Sequence, residues 1–299
     1  MFTNIDFVEN VDLKNFSTMK TGGIARWMVF PKNHLEILEV LKECRDRKLK
    51  WFVLGNGSNV LFDDSGFDGV IISLKHLNKV SMCGKNCVRV GAGCNLFALN
   101  LKLQNMGLSG LEWSYGIPAT LGGLLVMNGG CFGHEICELV EEVVALDDGK
   151  IRVLKNDECG FSYRYSNLSK FIVLNAKLKF FSCKNEVILE NMTNFINKKR
   201  ETQPCEFPSL GSVFKVVRRK GEKETIYPAK LIDNLGLKSV KIGGAEISQK
   251  HAGFIINKGG ATSKDVLDLI DLVELKLAAI GVFPEREIIV LKNEKERQK

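Results

Sequence analysis

No apolar run in the 299 residues approaches the length of a bilayer span. There is no C-x-x-C pair, no G-x-G-x-x-G, no G-x-x-x-x-G-K-[ST] and no G-x-S-x-G anywhere in the chain. These absences argue in turn against a membrane helix, a zinc ribbon or dithiol redox motif, the two common nucleotide loops, and a hydrolase nucleophile elbow. Internal repeats and low-complexity tracts are missing too, so neither a solenoid nor a disordered linker is expected. The opening residues MFTNIDFVEN carry acidic side chains and no apolar core like a signal peptide's, which makes the cytoplasm the expected location.

What is present describes a globular chain. The hydrophobic share is 45%, enough for a real core, and 299 residues exceed the usual size of one domain. Nine cysteines, an odd number without a secretion signal, read as reduced thiols. Cys131, His134 and Cys137 resemble metal ligands in spacing but lack a fourth partner, so small semi-buried thiols are the reading and no metal is expected. The net charge is +7, with clusters at Lys198, Lys199, Arg200 and at Arg218, Arg219, Lys220. A solvated surface accounts for them, as does attraction to an anionic ligand. No aromatic-rich basic stripe supports nucleic acid.

Periodicity places the elements. Helices are expected at 33–48 (Leu35, Leu38, Leu41, Cys44 on one face, Asn33 and Glu36 as capping box), 95–106, 186–199, 229–235 and 263–280. Strands are expected at 51–54, 70–74, 88–90, 171–181, from Ser212 onward, at 253–257 and at 287–291. Asp148-Gly149 between apolar runs predicts a hairpin over 140–153. Pro204 and Pro208 bracket a domain boundary. Strands and helices alternate only in part, which favours α+β over a doubly wound parallel sheet.

Two stretches look built for an anion. In VLGNGSNVLFD the apolar strand breaks into Gly55, Asn56, Gly57, Ser58 and Asn59, a composition that turns the backbone and aims N–H groups at one point. In GIPATLGGLLVMNGGCFGHE, residues 116–135, six glycines sit in an apolar context, with Pro118 suited to the first turn of a short helix. Three further motifs could carry chemistry. Arg164 lies between Tyr163 and Tyr165, where a guanidinium can be held as a fork for a carboxylate or phosphate; a surface arginine on a strand edge is the plainer reading. Gly211 sets Ser212 at a loop–strand junction, where a turn serine is the commoner case. In FPEREIIV, Glu285 and Glu287 share one face of an extended segment and Arg286 takes the other. His251 sits between two glycine pairs before an apolar strand, more often a structural than a catalytic setting.

Singly these signals are weak; their order is informative. FSTMKTGGIA (16–25), VLGNGSNVLF (53–62), GIPATLGGLLVMNGGCFGHEI (116–136), FSYRYS (161–166), PSLGSVFK (208–215), AKLIDNLGLK (229–238), ISQKHAGFIIN (247–257) and EREI (285–288) together resemble the UDP-N-acetylenolpyruvoylglucosamine reductase family over roughly residues 15–291. The resemblance implies a two-lobed FAD-binding unit of the vanillyl-alcohol oxidase type plus a C-terminal α+β substrate-binding domain, divided here as 1–78, 79–204 and 205–299. It implies FAD and NADPH as cofactors, with Gly55, Asn56, Gly57, Ser58, Asn59, Gly116, Ile117, Thr120, Gly122 and Gly123 as flavin-binding positions. Arg164 matches the family's arginine that stabilises the enol-type intermediate, Ser212 its proton donor, and Glu287 its carboxylate-orienting glutamate. Tyr163, Lys230 and His251 are the substrate-contact candidates, with Lys238 a further one for the diphosphate. The expected partner is a nucleotide-sugar, with no nucleic acid, no membrane insertion and no obligate protein partner.

Departures from the family pattern are local. Ile289 stands where an arginine is usual, with Arg286 or a lysine as a replacement contact, and Gly130-Cys131-Phe132 replaces an Ala-Gly-Ala-Tyr-like stretch. The short spacing from Arg164 to Ser212 resembles the subclass without a substrate-covering tyrosine loop, which implies a more open site. Two alternatives stand beside this reading: another FAD oxidoreductase of the same fold, acting on a hydroxy acid or alcohol, and a non-catalytic protein binding an anionic ligand. Neither explains why Arg164, Ser212 and Glu287 occur together.

Overall fold

Local sequence dictates most element boundaries. The Asn33 side chain accepts the Glu36 N–H at 3.0 Å and its amide donates to the Glu36 carboxylate at 2.7 Å, opening α1, His34–Asp46. Asn95 likewise accepts from Phe97 and Ala98 to open α2, Leu96–Asn105, which stops before Gly107 at φ +66°. The computed structural model describes residues 2, 4–218 and 225–293; Arg219, Lys220 and the polar residues 294–299 lie outside the described residues.

The backbone divides into two units, one of Met1–Glu9, Trp27–Asn56 and Gly69–Lys199, the other of Asn10–Arg26, Gly57–Asp68 and Arg200–Lys299. In the first, Lys50–Leu54 pairs in parallel with residues 69–73. A five-stranded antiparallel sheet has the order Lys150–Lys155, Val140–Asp147, Ile172–Lys179, Cys87–Gly91, Val80–Gly84. The Asp148-Gly149 turn closes its hairpin with φ +43° and +82°, the left-handed pair that a two-residue turn with native strand twist requires. The short α3, Leu121–Val126, and all but the last turn of the long α4, Asn185–Thr202, complete the unit. Val88, Val90, Leu96, Leu99, Leu103, Trp113, Leu121 and Leu125 are among the side chains of its core. Truncating any one of the fully buried leucines to alanine costs about 2–5 kcal/mol.

In the second unit, a four-stranded sheet runs Ser209–Ser212, Phe254–Asn257, Ala245–Ile247, Lys241–Ile242. The short α5 spans Pro228–Asn234, with the proline at its first turn. Helix α6, Ser263–Ala278, buries Val266, Leu269, Ile270, Val273 and Leu277, the face its 3.6-residue spacing predicts. Thr262 and Asp265 form its capping box, and Asp64 accepts the Ser263 and Lys264 N–H groups at 3.0 and 3.3 Å. Val60–Phe62 pairs in parallel with Ile289–Leu291. Buried Asn257 uses both of its side-chain polar atoms: its amide donates to the Met19 carbonyl at 3.0 Å and its oxygen accepts from Gly259 and Ala261. It therefore ties the segment around residue 19 to the central strand of this sheet.

Parallel and antiparallel pairings coexist with segregated helices, which is the α+β class. Four local expectations need correction. In α1 Cys44 is buried and Leu38 and Leu41 pack partly against the core as expected, but Leu35 is 60% exposed, and Ile37 and Val40 are fully buried instead because the packed face is centred on them. The strand expected to start at Ser212 ends there, and the strand expected from Glu287 begins at Ile289. Pro118 lies outside α3, because Thr120 is the residue that caps it.

Candidate active site

The Gly55–Asn59 loop leaves its strand end with its side-chain amides engaged and its backbone amides turned away from the ladder. Among the described residues, the backbone N–H groups of Asn56, Gly57, Ser58 and Asn59 have no protein acceptor. Four consecutive free amides in a turn form a concave donor array, the arrangement that binds phosphate oxygens. A pyrophosphate fits this cradle by donor chemistry. The loop is held rigidly from behind. Asn56 donates through its side chain to the Pro118 carbonyl at 2.8 Å, and a Cβ on Gly55 would meet the Thr120 hydroxyl at 2.7 Å. Gly55 and Asn56 thus pack against the 116–123 segment. Gly57 has φ +63°, and a Cβ there would strike the Phe16 carbonyl at 1.9 Å, so only glycine fits.

Within 116–123 the roles differ from a plain helix N-terminus. The Gly122 N–H donates to the Ala92 carbonyl at 2.8 Å, and the Gly123 N–H reaches the Thr120 hydroxyl at 3.4 Å. These amides are engaged within the protein, and the close backbone approach of Gly122 to Ala92 is what its missing side chain permits. Sequence reasoning missed Lys199 here: its ammonium donates to the Gly116 carbonyl. The only signal was the basic run 198–200, which reads equally well as a solvated surface.

Arg164 is not on a strand edge. Ser162 and Tyr165 exchange both backbone hydrogen bonds, at 3.0 and 3.1 Å, around a two-residue turn of Tyr163 and Arg164. Arg164 takes the second turn position at φ +53°, where glycine or asparagine is usual. A guanidinium in a left-handed turn costs about 1–2 kcal/mol against an ordinary backbone, and such strain gathers at functional positions. The guanidinium donates to the Gly130 carbonyl at 2.8 Å and lies 5.0 Å from the Tyr163 ring centroid. Nearby, the Cys131 thiol donates to the Trp113 carbonyl, and burial pushes its pKa up to about 11 despite the opposing fields of Lys199 and Arg164.

Ser212 and Glu287 are brought together by backbone pairing. Ser209 faces Ile256 and Ser212 faces Phe254, so three steps on one strand match two on the other. The extra residue is a β-bulge, with Gly211 at φ +81°. It re-aims Ser212 relative to a regular strand. Val213 then donates to the Gly253 carbonyl at 2.9 Å and accepts the Glu287 N–H at 2.7 Å. Phe214 bridges Arg286, and Lys215 donates to the Glu285 carbonyl. Asn59 adds a side-chain bond to the Glu287 carbonyl at 3.0 Å, while its own carbonyl accepts from Ile289 at 2.9 Å.

The neighbours of Glu287 are committed elsewhere. Arg286 forks onto Glu274 at 2.6 Å and Asp271 at 2.7 Å, and this pairing holds its pKa far above the ordinary value. It therefore does not replace the missing arginine at Ile289. Glu285 pairs with Lys215 at 3.0 Å. Of the substrate-contact candidates, Tyr163 shares the Arg164 turn, Lys230 lies on α5, and Lys238 is paired with Asp233 at 2.7 Å. His251 accepts the Gly253 N–H on Nδ1 at 3.2 Å, so a neutral ring carries its proton on Nε2; burial lowers its pKa. Among the described residues, no group of His, Cys, Asp and Glu side chains could hold a metal ion, and no helix is long and apolar enough to cross a membrane.

Comparison with known proteins agrees with this geometry. Residues 25–155 match the family described as FAD binding domain, and residues 203–291 match the family described as UDP-N-acetylenolpyruvoylglucosamine reductase, C-terminal domain. The UDP-N-acetylenolpyruvoylglucosamine reductase of Clostridium novyi is 38% identical over 89% of this chain and 85% of its own length. That of Caldicellulosiruptor saccharolyticus is 39% identical over 95% of this chain and 92% of its own. The crystal structure of the Thermus caldophilus reductase superposes with a TM-score of 0.79 at 33% identity, covering 97% of this chain and 99% of that one. With this identity sustained over nearly the whole length, the chain belongs to the UDP-N-acetylenolpyruvoylglucosamine reductase family, whose members are FAD-containing oxidoreductases.

Proposed function

We propose that this enzyme reduces the enolpyruvyl group of UDP-N-acetylglucosamine enolpyruvate to the lactyl ether of UDP-N-acetylmuramate, with Ser212 as general acid. When bound, FAD carries reducing equivalents from NADPH to the enolpyruvyl carbon. The protein supplies position and charge. The N–H groups of Asn56 to Asn59 hold the flavin pyrophosphate, with Gly116, Ile117, Thr120, Gly122 and Gly123 lining the same cofactor. Gly122 serves by close backbone approach, its N–H being bonded to Ala92.

Arg164 stabilises the negative charge that builds on the substrate carboxylate, a task suited to a planar, permanently charged fork. Glu287 orients that carboxylate region together with the arginine. Ser212 delivers a proton to the enol carbon. A serine hydroxyl is a weak acid in water, so the step needs a strongly basic acceptor and fixed placement. The bulge at Gly211, locked by the Val213 bonds to Gly253 and Glu287, provides that placement, and it is the single observation that carries the proposal. Tyr163, Lys230 and His251 contact the substrate. The working division of the chain is 1–78 and 79–204 for FAD and 205–299 for substrate. The enzyme acts in the cytoplasm on a nucleotide-sugar, without nucleic acid or an obligate protein partner.

Anaerobic stopped-flow absorbance tests this. The NADPH-reduced holoenzyme reoxidises with the enolpyruvyl nucleotide-sugar and not with simple hydroxy- or ketoacids. Ser212→Ala keeps flavin reduction by NADPH but slows reoxidation by at least about 100-fold, the lower range for a lost general acid. Reoxidation of Ser212→Ala at the wild-type rate refutes the proton-donor role.

A further inference from the structure

The segment FSTMKTGGIA has no part in the chemistry above, yet in its unit it touches both the Gly57 loop and the strand that ends at Ser212. The Thr18 N–H donates to the Gly57 carbonyl at 3.2 Å, and its hydroxyl donates to the Ser209 carbonyl at 2.7 Å. Gly57 belongs to the cofactor loop. Ser209 is the first residue of the bulged strand that ends at Ser212. A third contact, the Thr18 hydroxyl to the Gly57 carbonyl at 3.4 Å, is at the limit of a hydrogen bond.

The bulge makes Ser209 a sensitive point. Ser209 pairs with Ile256 on one side of the irregularity and Ser212 with Phe254 on the other. Between them Gly211, at φ +81°, has no heavy atom within 4 Å of the place a Cβ would occupy. Among the described residues, nothing packs at that position. At its far end the bulge is held by the Val213 bonds to Gly253 and Glu287; at its start the Asn257 N–H donates to the Pro208 carbonyl at 2.9 Å and the Thr18 hydroxyl is the side-chain donor to Ser209. Met19, next in sequence, is fully buried, and its carbonyl takes the Asn257 amide, so Thr18 cannot drift.

We propose that Thr18 is a positioning residue for the protonation step, aiming Ser212 by holding the Ser209 end of the bulge against the cofactor loop. The proposal rests on Ser212 being the proton donor. Thr18 touches neither substrate nor proton. A shift of about 1 Å in a reacting group costs on the order of 100-fold in rate, and loss of one end restraint produces part of that shift.

The test uses FAD-loaded Thr18→Val and Thr18→Ser enzymes. Valine matches threonine in shape but lacks the donor; serine restores the donor in a smaller side chain. In Thr18→Val, reoxidation of reduced flavin by substrate slows by about tenfold or more, with a larger solvent deuterium isotope effect and faster amide exchange at Val213. Flavin content and reduction by NADPH stay within about twofold of wild type, because the Thr18 N–H bond to Gly57 survives the substitution. Thr18→Ser recovers most of the lost rate and the Val213 protection. Equal slowing of both half-reactions, loss of flavin, or a serine variant as slow as the valine variant would each make Thr18 a general structural residue and overturn the proposal. Ser212→Ala run alongside separates the two ideas. If Ser212→Ala reoxidises normally, the proton-donor reading is wrong; if it is slow while Thr18→Val is normal, only the positioning role is wrong.

Discussion

Arg164 sits at a backbone position that suits glycine, and that conflict can be measured. At φ +53°, an L-residue with a Cβ is strained by about 1–2 kcal/mol. Glycine avoids that cost but raises the entropy of the unfolded chain, which offsets about 0.4–1 kcal/mol of the gain. Arg164→Ala and Arg164→Gly both remove the guanidinium and its 2.8 Å bond to the Gly130 carbonyl, so the side-chain losses cancel between them. The difference that remains is the turn itself. Arg164→Gly is expected to be more stable than Arg164→Ala by about 0.5–1 kcal/mol, close to 2 °C in thermal midpoint for a unit of this size. On the role proposed for Arg164, both variants lose the charge that stabilises the carboxylate anion, so both are expected to fall in kcat/KM by at least about 100-fold, the scale of a deleted oxyanion donor. The assay pairs differential scanning fluorimetry of the FAD-loaded variants with steady-state turnover of the enolpyruvyl substrate. Equal midpoints would show that residue 164 is not held in a left-handed turn. An active glycine variant would remove Arg164 from the chemistry and leave its strain unexplained.

Two further outcomes follow from the surroundings. Arg286 is tied to Glu274 and Asp271, so Arg286→Lys should lower stability by about 1 kcal/mol through loss of the fork while leaving the substrate KM within about twofold; a tenfold rise in KM would return Arg286 to the site. Burial pushes the Cys44, Cys94, Cys131 and Cys159 thiols up to about 11, so at pH 8 they should react with a disulfide reagent roughly two orders of magnitude more slowly than an ordinary thiol, whereas exposed Cys83 and Cys205 react promptly; rapid labelling of Cys131, followed by peptide mass spectrometry, would contradict its burial.

The elements most legible in the sequence are those whose signals are local. Asn33 with Glu36, Asn95 before Leu96, Thr262 with Asp265 and the Asp148-Gly149 turn each decide a boundary through one or two hydrogen bonds between near neighbours, and each lies where the residues predict. The buried face of α6 follows from spacing alone. Helix α1 shows the limit of that logic. Spacing picked out Leu38, Leu41 and Cys44, which do pack on the core, but not that the face is centred on Ile37 and Val40, which leaves Leu35 exposed. Composition also marked the Gly55–Asn59 loop, because a run of glycine, asparagine and serine at a strand end has few other uses.

The remainder was hidden because it depends on register between segments far apart in sequence. Nothing in PSLGSVFK says that one residue is extra relative to Phe254–Asn257, yet that bulge is what turns Ser212. Nothing in FPEREIIV says that the Glu287 amide meets the Val213 carbonyl, or that Arg286 is drawn away by two acids on α6. By spacing alone Glu285 and Glu287 were equivalent. Their difference comes from what each meets: Glu285 meets the Lys215 ammonium, whereas the backbone of Glu287 is clamped between Val213 and the Asn59 side chain. A loop that offers four free amides to a phosphate is thus also the loop whose last residue fixes the glutamate. If the loop binds the flavin and Glu287 orients the substrate as proposed, a substitution at Asn59 should disturb both together, while one at Glu285 disturbs neither.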